Sequence, residues 1–140
     1  MAVRACGQEV KEFLMNKTAI VTDKAPKALG PYSAGVVSNG SINVSGQLGI
    51  DPATGKLAGD DVQSQTRQSL TNLRNILEAA GATMADVVET TVLLADISEF
   101  GAMNEVYAEF FEAPYPARAA FQVAALPGGG KVEIKAVARI

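Results

Sequence analysis

The stretch DDVQSQTRQSLTNLRNILEAAGATMADVVETTVLLADI, residues 60–97, decides the fold class because it sets a helix directly before a strand. Within it, apolar and small residues recur at steps of three and four, at Val62, Thr66, Leu70, Leu73, Leu77 and Ala80. This spacing predicts one buried stripe of a helix that begins after an Asp60 or Asp61 cap and ends at Gly81. The run that follows, residues 87–94, is dense in β-branched residues and predicts a buried strand.

Upstream of this helix the pattern predicts short strands. Residues 18–21, 33–37 and 41–45 are rich in strand-forming side chains. Asn39-Gly40, between the last two of these segments, is a strong signal for a tight hairpin turn. The upstream half is therefore expected to contribute a small antiparallel group of strands.

Downstream, a second helix and two more strands complete the pattern. Ser98 is the predicted cap of this helix, and its buried face carries Phe100, Met103, Tyr107 and Phe110. The last two strands are predicted over residues 118–123 and 131–138. They are expected to form a hairpin across Pro127 and the glycines that follow it.

These elements together predict an α+β fold in a single domain over residues 17–140, with one mixed β-sheet and two helices packed on one of its faces. Residues 1–16 are predicted to be an N-terminal extension that is either disordered or processed. Glu9 and Glu12 argue against a transit peptide there, because transit peptides are normally poor in acidic residues.

The composition excludes several kinds of catalytic site. The 140 residues contain no histidine, which excludes serine–histidine and cysteine–histidine dyads and histidine-bearing zinc sites. The single cysteine, Cys6, suits a reducing compartment such as the cytoplasm, while the N-terminal extension keeps a mitochondrial location open. Any chemistry is therefore expected to use carboxylates, arginine, lysine, tyrosine, hydroxyls, backbone groups or bound water.

Arg118 and Glu133 place opposite charges inside two short apolar runs, YPARAAFQVAALP and KVEI. Side chains alternate across a strand, so Arg118 and Ala120 should share one face, while Ile134 should point toward the helices and Glu133 away from them. If the two strands pair, both charges lie near each other on the far face of the sheet. The pattern leaves two interpretations open: a solvent-facing ion pair worth ~0–1 kcal/mol, or a pocket covered by another subunit.

Five segments carry a further signal: IVTDKAPKALGPYSAG, INVSGQLGIDPATGKL, VVETTVLLADI, MNEVYAEFF and YPARAAFQVAALP with the later VEI. In this order they resemble the Rid/YjgF family of reactive-intermediate deaminases, most closely its eukaryotic RidA branch, from about residue 17 to the C-terminus. The resemblance implies a chorismate-mutase-like α+β fold and a homotrimer with active clefts between adjacent subunits. It further implies hydrolysis of 2-imino or 2-enamine acids, such as 2-iminobutanoate and 2-iminopropanoate, to 2-oxo acids and ammonia, with no metal and no organic cofactor.

The resemblance assigns catalytic roles to the two charged residues. Arg118, in the matching P-A-R motif, would clamp the substrate carboxylate, because its planar fork fits that group bidentately. Glu133, in the matching V-E-I motif, would position and deprotonate the attacking water, or pass its proton to the departing amine.

Substrate-binding roles are implied for five further residues, Tyr32, Ser45, Gly46, Asn104 and Ala120. Most of them also have a plain structural interpretation: a packed loop aromatic for Tyr32, a strand-to-turn junction for Ser45 and Gly46, and an exposed helix residue for Asn104. Ala120 stands where many bacterial members carry cysteine. Thiol-based activity is therefore not expected at this position, whereas attack by water is unaffected.

Two other functions stay open on the sequence. Ribonuclease or translation inhibitor is a label that some members carry, but a net charge of −3 and no arginine-rich stripe offer little attraction for phosphate. The other possibility is a non-catalytic trimer that is either chaperone-like or binds small acids. Such a protein would bind an acid in the cleft without converting it. No stretch approaches the ~20 apolar residues of a membrane span, so no membrane partner is expected. The partners that the resemblance implies are the small acid substrate, its product and other copies of the chain.

Overall fold

A computed structural model describes residues 16–140, and the predicted extension over residues 1–16 lies outside this range except for Asn16. Two α-helices lie within the range, α1 (Val62–Ala79) and α2 (Phe100–Tyr107). The strands described are β1 (Thr18–Ile20), β2 (Gly35–Ser38), β3 (Ser41–Leu48), β4 (Ile50–Asp51), β5 (Lys56–Leu57), β6 (Val87–Leu94), β7 (Ala117–Gln122) and β8 (Val132–Arg139). Neither helix is long and apolar enough to cross a membrane.

Six of these strands form one mixed sheet in the order β1-β2-β3-β8-β6-β7. Neighbouring strands run antiparallel except β6 and β7, which run parallel. The short strands β4 and β5 form a separate hairpin. Both helices pack on one face of the large sheet and share its hydrophobic core, which confirms the predicted α+β arrangement.

Helix α1 forms as its residue spacing predicts. Asp61 is the N-cap, and its carboxylate accepts a hydrogen bond from the backbone N–H of Ser64 at 2.8 Å. Gly81 follows the last turn with a φ of +81°, a conformation that glycine adopts without steric cost. The leucines of the predicted stripe are fully buried against the sheet.

Two other local predictions are confirmed. Asn39 and Gly40 have φ values of 50° and 76°, as the tight turn between β2 and β3 requires. Strand β6 spans Val87–Leu94, the range that its β-branched run predicts. Strand β3 is longer than predicted and continues to Leu48.

The start of α2 differs from the prediction, because Ser98 is not the N-cap. The carboxylate of Asp96 accepts hydrogen bonds from the backbone N–H of Ser98 at 2.9 Å and from its hydroxyl at 2.7 Å. A single 3₁₀ turn over Ile97–Glu99 then leads into the helix. Aspartate takes the capping role here, and the serine hydroxyl serves as a donor to it. Phe110 lies beyond the end of α2 at Tyr107.

The predicted hairpin of the last two strands is wrong. Strand β6 lies between β7 and β8 and pairs with both of them, so these two strands do not touch as neighbours. Strand β7 is instead an edge strand of the sheet. Arg118 on β7 and Glu133 on β8 are therefore two strands apart.

The predicted facing of β8 is confirmed, whereas that of β7 is wrong. Val132 and Ile134 are fully buried under the helices, and Glu133 points to the other face. On β7, Arg118 lies beside Thr90 in the strand register, on the face that α2 covers. Ala119 and Phe121 face outward instead, and every residue of this edge strand except Ala120 is exposed in the single chain.

Candidate active site

A β-bulge in β3 shapes one half of the site. The pairing with β8 shifts between Val44 and Gln47, so that Ser45 and Gly46 together stand opposite Lys135. A bulge bends its strand and turns side chains to new directions. It brings the glycine backbone toward the side chain of Glu133.

Helix α1 holds this bulge in place from the other side of the sheet. The hydroxyl of Ser69 donates to the carbonyl of Gln47 at 2.6 Å, and the amide of Asn72 donates to the carbonyl of Ile50 at 2.8 Å. Ser69 and Asn72 are fully buried. Their hydrogen bonds satisfy carbonyls that follow the bulge, at the end of β3 and in β4.

Glu133 is packed tightly against Gly46. A Cβ atom added to the glycine would lie 2.7 Å from Oε1 of Glu133, closer than real Cβ atoms approach an oxygen. Burial raises the pKa of Glu133 above its ordinary value, because the half-buried carboxylate loses water contacts. Glycine at position 46 therefore leaves room for the Glu133 carboxyl group, and the raised pKa makes this group a better proton acceptor than an exposed glutamate.

Glu133 lies in an open pocket of about 510 Å³ on the face of the sheet that the helices leave uncovered. The pocket is lined by Tyr32, Val36, Asn43, Val44, Ser45, Gly46, Pro127, Glu133, Lys135 and Ala136. The Ser45 hydroxyl donates to the carbonyl of Ser33 at 2.6 Å, which ties the bulge to the loop that carries Tyr32. Four of the site residues expected from the sequence thus share one pocket.

Arg118 lies in a second group of residues, on the helical face. Its Nη1 donates to Oδ1 of Asn104 at 2.7 Å. Its Cζ lies 4.7 Å from the ring centroid of Tyr107 and 5.3 Å from that of Phe100. The guanidinium is exposed in the single chain but is anchored by one amide and two aromatic rings, and no carboxylate within residues 16–140 forms an ion pair with it.

Ala120 follows Arg118 on the same face of β7, half-buried against the core. The sequence-based site residues therefore fall into two groups: Arg118, Asn104 and Ala120 on one face, and the pocket around Glu133 on the other. Within one chain the sheet separates the two groups.

Sequence reasoning assigned two important residues to the core alone. Phe100 and Tyr107 were expected on a buried helix face, yet both contact the guanidinium of Arg118. The signal that could have found them is their spacing around Asn104, since positions i, i+4 and i+7 share one stripe of a helix. Two aromatic rings beside an amide on such a stripe suit a cation.

The two groups differ in what they can bind. An arginine without an anionic partner suits a carboxylate or another small planar anion. A half-buried glutamate with a raised pKa suits a general acid or base. Residues 16–140 contain no group of three acidic, histidine or cysteine side chains placed to hold a metal ion.

The fold and these groups define a class: a small α+β protein with an arginine that has no carboxylate partner within the described residues and, on the other face of the sheet, a half-buried glutamate with a raised pKa. The chain belongs to the Rid/YjgF family, whose profile, described as Endoribonuclease L-PSP, matches residues 22–140. The family and fold implied by the sequence motifs are thereby confirmed.

Curated relatives resemble the chain over most of its length. It is 55% identical to the 2-iminobutanoate/2-iminopropanoate deaminase of Capra hircus, over 85% of this chain and 87% of that protein. The human protein of the same name is 50% identical over 87% of this chain and 89% of its own. Reactive Intermediate Deaminase A, chloroplastic, of Arabidopsis thaliana is 47% identical over 90% of this chain and 67% of that protein.

Solved structures show the same fold. RidA from the Antarctic bacterium Psychrobacter sp. PAMC 21119 superposes with a TM-score of 0.85 at 47% identity, over 88% of this chain and 99% of the other. E. coli TdcF, solved with bound serine, has a TM-score of 0.84 at 42% identity, over 88% of this chain and 98% of the other.

Proposed function

We propose that this protein hydrolyses short 2-imino and 2-enamine carboxylic acids to 2-oxo acids and ammonia, with Arg118 and Glu133 as its catalytic residues. The identity to named 2-iminobutanoate/2-iminopropanoate deaminases across most of the chain supports this activity. The observation that carries the site assignment is the guanidinium of Arg118, anchored by Asn104 and two rings without an anionic partner in the described chain.

Arg118 binds the substrate carboxylate. One of its N–H groups is used by Asn104, which leaves enough donors for a bidentate pair with two carboxylate oxygens. This pair fixes the adjacent carbon of the protonated imine for attack. That carbon is already electrophilic, so no covalent nucleophile is required.

Glu133 accepts the proton of the attacking water and later donates it to the departing nitrogen. Water adds to the C=N carbon while Glu133 takes its proton, and this gives a tetrahedral carbinolamine. The proton then returns from Glu133 to the nitrogen, and Glu133 accepts the remaining hydroxyl proton as the C–N bond breaks, its electron pair leaves with ammonia and the C=O bond forms. Water and the protonated imine are consumed, one 2-oxo acid and one ammonia are released, and Glu133 is restored when it passes the last proton to that ammonia, which leaves as ammonium. Burial of this carboxyl group supports the role, because it raises the pKa of the base.

Two chains are required to complete such a site. Arg118 and Glu133 of one protomer lie on opposite faces of its sheet, so a substrate cannot contact both. A cleft between subunits, with Arg118 from one and Glu133 from the next, removes this separation. The exposed apolar side chain of Phe121 on the outer face of β7 supports contact with another chain, and a homotrimer is part of this proposal.

Ammonia release tests the proposal. Purified protein, without added metal, should speed ammonia formation from imines that a dehydratase generates from serine or threonine. Arg118→Ala should lower kcat/KM by roughly 30- to 1000-fold, since a charged hydrogen-bonded clamp contributes ~2–4 kcal/mol. Arg118→Lys should recover little of this loss, because an ammonium lacks the planar fork.

Arg74→Ala provides a matched control for that experiment. Arg74 also sits over an aromatic ring, with its Cζ 5.5 Å from the centroid of Phe110, but it lies on α1 away from both groups of site residues. Its removal should leave the rate unchanged. Full activity in Arg118→Ala would refute the assigned site.

Binding of a small acid without turnover is the second candidate function, because the neighbour TdcF was solved with bound serine. This alternative predicts that 2-oxo acids bind to the protein while ammonia release stays at the uncatalysed rate. The same purified protein therefore distinguishes the two functions in one pair of measurements.

A further inference from the structure

One face of helix α2 is built around the guanidinium of Arg118. Phe100, Asn104 and Tyr107 lie one turn apart on that face, and each contacts the arginine. The Asn104 amide holds one N–H group, while the two rings hold the cation without using its other N–H groups. The helix thus limits the orientations of the guanidinium and keeps its donors available.

The Tyr107 ring is itself fixed from two sides. Its hydroxyl shares a 2.7 Å hydrogen bond with the hydroxyl of Thr90, and both residues are buried. The ring of Phe111 lies 4.7 Å away, centroid to centroid. Burial also raises the pKa of Tyr107, so the phenol stays neutral beside the arginine. Arg118 therefore rests on a rigid, uncharged surface.

We propose that Tyr107, assisted by Phe100, is a positioning residue that sets the orientation of the Arg118 guanidinium for binding of the substrate carboxylate. The inference rests on the proposed function, in which Arg118 binds that group. Tyr107 does not contact the substrate, because its hydroxyl is directed to Thr90. Its ring acts only through the arginine.

The test compares two variants at this position. Tyr107→Leu removes the ring, and should weaken binding of pyruvate, measured by calorimetry, by roughly 10-fold, the range of a partly desolvated cation–π contact. KM for the imine should rise by a similar factor, with kcat less affected. Tyr107→Phe keeps the ring and loses the bond to Thr90, so its loss of pyruvate affinity should be much smaller than that of Tyr107→Leu while its melting temperature falls.

Phe111→Leu is the matched structural control. Phe111 is buried and packs on the Tyr107 ring, but it is not one of the two rings that contact Arg118. Because its ring contacts Tyr107 but not Arg118, Phe111→Leu should lower the melting temperature and weaken pyruvate binding far less than Tyr107→Leu does. Phe100→Leu, at a half-buried ring 5.3 Å from the cation, provides a second test should Tyr107→Leu fold poorly, and its pyruvate affinity should fall several-fold.

Two results would overturn the positioning role. The first is an unchanged pyruvate affinity in both Tyr107→Leu and Phe100→Leu. The second is an equal loss of pyruvate affinity in Tyr107→Phe and Tyr107→Leu. Arg118→Ala separates this failure from that of the proposed function. If Arg118→Ala is inactive while the ring variants bind normally, only the positioning role is wrong, whereas an active Arg118→Ala refutes the site itself.

Discussion

At the scale of single residues, Gly46 decides where the Glu133 carboxylate can lie. An added Cβ would meet Oε1 at 2.7 Å, and the atom that must move is the end of a flexible side chain. We expect Gly46→Ala to fold with nearly unchanged melting temperature and to lose roughly 100-fold in kcat/KM, the effect of misplacing a catalytic group by about 1 Å. Ammonia release and thermal unfolding of the same sample measure both properties.

Gly101→Ala is the appropriate control for that substitution. Gly101 is a helical glycine of α2 whose added Cβ would meet no heavy atom within 4 Å. This variant should keep full activity and gain slightly in stability, because alanine has the higher helix propensity. Wild-type activity in Gly46→Ala would show that the carboxylate position is not critical.

The pKa of Glu133 predicts the direction of the pH dependence. Burial raises this pKa, so the protonated, inactive form persists to a higher pH than for an ordinary glutamate. The acid limb of kcat/KM should therefore lie above the pH at which exposed glutamates titrate, with activity lost as the pH falls through it. Glu133→Gln should be nearly inactive and lack this limb. An acid limb at the ordinary glutamate pKa would contradict the prediction.

At the scale of elements, helix α1 stabilises the bulge through buried polar side chains. The hydroxyl of Ser69 is the hydrogen-bond donor to the carbonyl of Gln47, at 2.6 Å. Ser69→Ala leaves this buried acceptor without its partner, and we expect a loss of ~1–3 kcal/mol in the free energy of unfolding, measured with urea. Activity should fall as well, because the bulge carries Gly46.

Thr71→Ala separates a site-specific effect from a general effect of hydroxyl loss in this helix. Thr71 donates to the carbonyl of Arg67 at 2.7 Å within α1 itself, on an exposed part of the helix. Removing that hydroxyl should change stability by ~0.5 kcal/mol or less, as is usual for surface substitutions. Equal losses in both variants would contradict the role of Ser69.

Helices and strands with strong local signals could be predicted from the sequence, but which strands lie next to each other in the sheet could not. Helix α1 follows from its spacing and its Asp61 cap, and β6 from its β-branched run. The hairpin of β7 and β8 was wrong because the insertion of β6 between them is a long-range pairing that no local turn signal encodes. The run around Arg118 also gave no contrast between its faces, since Ala119 and Ala120 are equally apolar.

At the scale of the whole molecule, the candidate site could be named only through the family motifs. The alternation of side chains predicted that Arg118 and Glu133 lie near each other on one pair of strands. In the structure they lie on opposite faces of the sheet. The spacing of apolar residues indicates which side chains are buried within one chain, but it does not indicate which residues face another subunit. The cleft shared between subunits is thus the part of the proposal that cannot be predicted from sequence patterns. Oligomers that contain two different variants provide the most direct test of it.

The last prediction follows from that shared cleft. A chain carrying Arg118→Ala keeps its Glu133, and a chain carrying Glu133→Gln keeps its Arg118. In a ring of randomly mixed chains at equal amounts, about one junction in four joins an intact arginine to an intact glutamate, whatever the number of subunits. Co-expressed variants should therefore recover about a quarter of wild-type ammonia release, while a blend of separately purified, non-exchanging variants stays inactive. If co-expression restores nothing although mixed oligomers are isolated by two different tags, then Arg118 and Glu133 do not meet across subunits.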